Sequence, residues 1–106
     1  MVVRVLDHVR TCSTYEDGDV IFNLIAPEVE AGRDVTLSFN GVQAVPSAFI
    51  NAAVVRLIER VPFKVIKEHL MIIDSTKQIN ELIKGRFDYL AQVEQNAPRR
   101  GVTSYP

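Results

Sequence analysis

The stretch VTLSFNGVQAVPSAFINAAVVRL, residues 35–57, decides the fold. Over 34–40, apolar Val35, Leu37 and Phe39 alternate with polar Thr36, Ser38 and Asn40. A period of two marks a strand with one face on a core. Asn40-Gly41 then turns the backbone, and Val42 and Val45 flank a short connection. From Pro46 or Ser47 the period lengthens to that of a helix running to about residue 60. Ile50, Val54, Leu57, Ile58 and Val61 make its core stripe, and Pro62, which has no N–H to donate, breaks it. Ala48, Ala52 and Val55 recur at i, i+4 and i+7 beside that stripe. A water-facing strip normally carries Lys and Glu, so an apolar one points to a covering partner.

Upstream, Val2 to Leu6 is rich in β-branched residues and reads as a short strand, followed by a polar loop over 10–18. Val20, Ile21, Leu24, Ile25 and Val29 define the buried face of a helix over 19–31. Asp17 or Asp19 is placed to cap its start and Gly32 to end it, while Pro27 is expected to kink or divide it. Downstream, 63–68 fits either a helical turn or an extended connection, and 69–73 reads as a third strand. Ser75 with Gln78 fits a capping box that opens a last helix over 76–94. Ile79, Leu82, Ile83, Phe87 and Leu90 supply the apolar face of that helix. Strand then helix, three times over, implies crossover connections. The expected architecture is α/β: a small sheet, largely parallel or mixed, with three main helices packed on it. The domain is expected to span 1–95, with 96–106, which holds two prolines and a glycine, as a flexible tail.

The 106 residues are 47% hydrophobic and 24% charged, with a formal net charge of −1. That length fits one domain, and that balance argues against a dedicated nucleic-acid binder, which carries a basic excess. The lone Cys12 excludes an internal disulfide. The N-terminus lacks a long apolar run, so the chain is expected in the cytoplasm.

Catalytic patterns are sparse. The five glycines are isolated, so no phosphate-cradling loop is present. His8 and His69 are far apart in sequence, and neither lies near residues at metal-ligand spacing; no metal or cofactor is expected. Asp74 ends the third strand, where α/β active sites often lie, and an enzyme of the hydrolase or nucleotide-binding class would have to use His69, Asp74 and Ser75.

Residues 35–57 resemble the STAS domain family of anti-sigma factor antagonists and sulphate-transporter domains, nearest to its STAS-like branch of small proteins. The resemblance is carried by Leu37-Ser38-Phe39, Gly41-Val42, and Ser47 followed by Phe49, with a looser match at Gly18, Ile21 and Ile25. It implies that Ser47 is the phosphoacceptor position and that the partner is an ATP-binding, kinase-like regulator of the anti-sigma type. Regulatory members carry acidic residues where Pro46 and Ser38 stand here, so both changes remove negative charge beside Ser47.

The resulting expectation is a non-enzymatic interaction module, switched by phosphorylation at the start of the second helix. Its partner surface would be an exposed patch of Ser47, Ala48, Asn51, Ala52 and Val55. The alternatives are a phage or mobile-element protein that inhibits a host defence complex by surface binding, and the small enzyme described above. Self-association into a homodimer would also cover such a patch.

Overall fold

The computed structural model describes residues 1–96, with side chains described through residue 89. Three parallel strands, β1 (Val2–Arg4), β2 (Val35–Ser38) and β3 (Leu70–Ile73), lie side by side in that order. Val3, Leu37 and Ile72 share one register row, and Val2, Thr36 and Met71 the next. β1 is shorter than its β-branched run suggests, because the chain tightens into a 3₁₀ turn over Val5–Asp7.

Four helices accompany the sheet: α1 (Tyr15–Glu30), α2 (Ser47–Ala53), α3 (Phe63–His69) and α4 (Lys77–Asn96). The stretch 63–68, which fitted two readings, is thus helical, and α2 gives way at Val54 to a 3₁₀ turn over Val55–Glu59. Right-handed crossovers that always step the same way along a sheet put every helix on one face. The order β1-β2-β3 contains no reversal, and the core lies between that face and the helices. Leu37, Phe39, Ile50, Val54 and Leu57 are buried there, while Ile72, Leu82 and Ile83 pack at its margin.

The helix ends follow local chemistry. α1 starts four residues earlier than periodicity suggests, because Thr14 is the cap: its hydroxyl accepts from the Asp17 N–H at 3.1 Å. The Asp17 carboxylate turns back to accept from the Ser13 N–H and the Thr11 hydroxyl. Desolvation pushes the Asp17 carboxyl up, but those hydrogen bonds and the Thr14 contacts outweigh it and hold it below the ordinary carboxylate range. Pro27 neither divides nor ends α1. It sits on the water-facing side one turn from the end, where the carbonyl it orphans meets solvent. Gly32, at φ +76°, closes the helix: its N–H donates to Val29 and that of Arg33 to Glu28.

Candidate functional site

Several partnered polar side chains gather at the carboxyl end of the sheet. Phe39 N–H donates to the Ile73 carbonyl at 3.0 Å, extending the β2–β3 ladder by one step. The chain then turns at Asn40-Gly41, with Gly41 at φ +88° and Val42 N–H closing on the Phe39 carbonyl. The loop that follows is pinned to the start of α4. Gln78 brackets Val45, donating to its carbonyl at 3.0 Å and accepting from its N–H at 3.1 Å. The Thr76 hydroxyl donates to the Gln43 carbonyl at 2.8 Å and accepts from the Ile79 N–H. Thr76 is therefore the cap of α4. The expected Ser75–Gln78 box does not form, because Gln78 is spent on Val45.

Ser47 sits at the end of this anchored loop. Pro46 occupies the cap position and Ser47 is the first residue of α2, so the hydroxyl does not cap the helix. It is exposed and bonds to none of the described residues. Ser38, where the family pattern carries an acid, is buried and donates to Asp74 Oδ2 at 2.8 Å. A carboxylate does reach this end of β2, supplied by β3. Asp74 holds a left-handed backbone at φ +56°, which short polar side chains tolerate best. Arg4 completes the rim, donating to Asn40 and to Asp7.

The expected partner patch survives only in part as a surface. Ser47 and Ala48 are exposed and Asn51 is half-buried, but Ala52 is 0% exposed and Val55 is buried. α1 covers them. A Cβ placed on Gly18 would lie 2.6 Å from the Phe49 carbonyl oxygen and 2.7 Å from Ala52 Cβ. The strip lacks charge because a neighbouring helix lies on it. Gly18 opposite Ala52-Ala53 is the sequence signal for that close crossing.

Sequence reading also missed Arg56. It bridges from the 3₁₀ turn to α1, pairing with Asp19 while its guanidinium lies 3.9 Å from the Phe22 ring centroid and 5.4 Å from that of Tyr15. Tyr15, Asn51, Arg56, Glu59 and Arg86 edge a shallow depression of about 260 Å³ that reaches α2 at Asn51 and lies mainly along the 3₁₀ turn.

His69, Asp74 and Ser75, which the small-enzyme alternative would use, are not brought together. His69 precedes β3 and faces Asp34 at 2.9 Å, whereas Asp74 and Ser75 follow β3. The four residues of β3 stand between His69 and Asp74, five steps of strand or roughly 16 Å. Burial, helped by the nearby Asp17 charge, pushes the Cys12 thiol up to about 11, so it is not a ready nucleophile. Among the described residues no cluster of His, Cys, Asp or Glu could hold a metal ion, and no helix is long and apolar enough to cross a membrane.

A sequence profile described as "STAS-like domain of unknown function (DUF4325)" matches residues 17–80, more than half of the chain. The matched stretch runs from the first turn of α1 to the first turn of α4 and contains the anchored loop and Ser47. No curated protein and no solved structure matches the chain.

Proposed function

The chain belongs to this family of STAS-like domains, and from that premise we propose that it is a non-enzymatic protein-interaction module that presents the carboxyl end of its sheet. The observation that carries the reading is Ser47: an exposed hydroxyl with no structural duty, at the end of a loop held rigid by Gln78 and Thr76. A hydroxyl that neither caps nor bridges is available to a partner or a kinase. The contact surface is Ser47 and Ala48, extended by Asn51 and the adjoining depression. The partner is an ATP-binding regulator of the anti-sigma type, met in the cytoplasm. Phosphorylation would place close to two negative charges beside Ala48, and burying them at an interface costs desolvation energy.

Affinity capture with quantitative mass spectrometry tests this, using wild-type, Ser47→Ala, Ser47→Asp and Ala48→Arg baits. One partner should be retained by wild type and Ser47→Ala and lost from Ser47→Asp and Ala48→Arg, and the same spectra read phosphate at Ser47. Identical capture by all four baits would refute the surface.

A further inference from the structure

The edge of the core opens sideways beside β3. Leu70 and Ile72 sit on the core face of that strand, in register with Val35 and Leu37 of β2. The β2 residues are 1% and 0% exposed, whereas Leu70 and Ile72 are only half-buried. β3 is the last strand of the sheet, so no further described strand closes the layer there. α3 and α4 flank the opening, with Phe63 of one stacked on Phe87 of the other at 5.1 Å between ring centroids. The result is a cavity of about 290 Å³ whose deepest lining is the buried pair Val54 and Ile66.

The charged residues of this cavity stand at its mouth. Lys67, Lys84 and Asp88 line it, and all three are exposed. Lys84 and Asp88 neutralise each other at 2.7 Å. Lys67 pairs with no carboxylate among the described residues, and its ammonium stands 5.6 Å from the Phe63 ring centroid, beside the apolar wall. Lys64 and Glu68, its neighbours on α3, border the adjoining surface and offset each other in charge. An apolar hollow with one uncompensated cation at its lip suits a ligand of complementary build, an apolar body with an anionic end.

We propose that this cavity binds an aliphatic carboxylate of medium chain length, its chain beside β3 and its carboxylate at Lys67. Burial of the chain supplies the affinity, because apolar surface of both ligand and cavity leaves water. The carboxylate stays at the lip, where it keeps part of its hydration and escapes the cost of burying a charge. Chain length follows from volume. A non-hydrogen atom takes about as much room as a water molecule, roughly 30 Å³, so the cavity holds roughly ten, the number in octanoate. The site shares no lining residue with the Ser47 surface or its depression, and it stands whether or not that surface binds a protein.

Titration of the isotope-labelled chain with octanoate, followed by amide chemical shifts, tests it. Octanoate should give saturable shifts confined to the amides around Ile66, Leu70, Ile83 and Phe87, with a Kd of about 0.1–1 mM for a ligand of this size. Butyrate, with a chain half as long, should bind at least about tenfold more weakly, since each methylene adds to the buried apolar area. Octylamine, protonated at neutral pH, should bind at least about fivefold more weakly, because its ammonium meets that of Lys67. Lys67→Glu, at an exposed position, should reverse the order and favour octylamine over octanoate, with an unchanged far-UV circular dichroism spectrum. The absence of saturable shifts up to about 10 mM octanoate overturns the inference. So do shifts centred on another surface, or a Lys67→Glu protein that still prefers octanoate.

Discussion

Gly18→Ala separates two physical effects that oppose each other in sign. By helix propensity alone the change should stabilise α1 by about 0.8–1 kcal/mol. By packing it should do the reverse. The new Cβ would lie 2.6 Å from the Phe49 carbonyl oxygen and 2.7 Å from Ala52 Cβ, with Ala53 N at 3.1 Å. Carbon–carbon contacts are comfortable at about 3.5–4.0 Å, so the helices must part by nearly 1 Å. None of the three atoms lies at the end of a flexible side chain, so no rotamer change relieves the clash. Overpacking of this kind costs about 1–3 kcal/mol, and separating α1 from α2 also loosens Ile21, Phe49 and Ile50. The upper half of that range should prevail, because the clash is with backbone, for a net loss of about 1–2 kcal/mol. Urea titration followed by far-UV circular dichroism reads this as a lower midpoint at unchanged slope. Gly85→Ala is the internal control. It lies in α4 with nothing within 4 Å of its new Cβ, and should raise stability by about 0.5–1 kcal/mol. A Gly18→Ala protein as stable as wild type would refute the close crossing, and with it the account of why Ala52 is buried.

Three further outcomes follow from the same packing. Ala52→Glu should unfold the domain, since it puts a carboxylate where exposure is 0%, whereas Ala48→Glu should fold normally; thermal melts of the two decide it. Cys12 holds its proton to about 11 when folded, against 9.0 for an unperturbed thiol. The unfolded chain then loses that proton first, so stability is unaffected below about 9 and falls as pH rises towards about 11. Cys12→Ala should flatten that alkaline fall in a pH series of urea midpoints. Gln78→Ala should cost about 1–3 kcal/mol by leaving the Val45 N–H and carbonyl without their side-chain partner, and hydrogen exchange at Val45 should accelerate.

Much of the local order is legible in the residues themselves. The alternation of Val35, Leu37 and Phe39 specifies β2, because side chains on a pleat point to opposite faces and only one face meets the core. Gly32 announces the end of α1, because few other residues take a positive φ without strain. Leu37-Ser38-Phe39, Gly41-Val42 and Ser47 carry the resemblance to STAS-like domains that the family match bears out. Of the expected tail over 96–106, Asn96 is the last residue of α4 and the rest lies outside the described residues.

Which helix face is covered, and by what, was settled by tertiary structure. Periodicity marks Ala52 and Val55 as apolar but is silent on whether a partner or α1 lies over them, since that depends on a glycine more than thirty positions away. Capping chemistry moved for the same kind of reason: Gln78 suits a box with Ser75, yet Val45, brought beside it by the β2–α2 loop, takes both ends of its amide. The carboxylate at Ser38 came from Asp74, 36 residues on, through parallel pairing of β2 with β3. Patterning along the chain determined strands, helices and the apolar stripe of each, because these depend on neighbours one to four residues apart. Strand order, with its uniform handedness of crossover, put α1, α2 and α3 on one face, where α4 joins them by packing on α2, and left Val2 and Met71 open on the other.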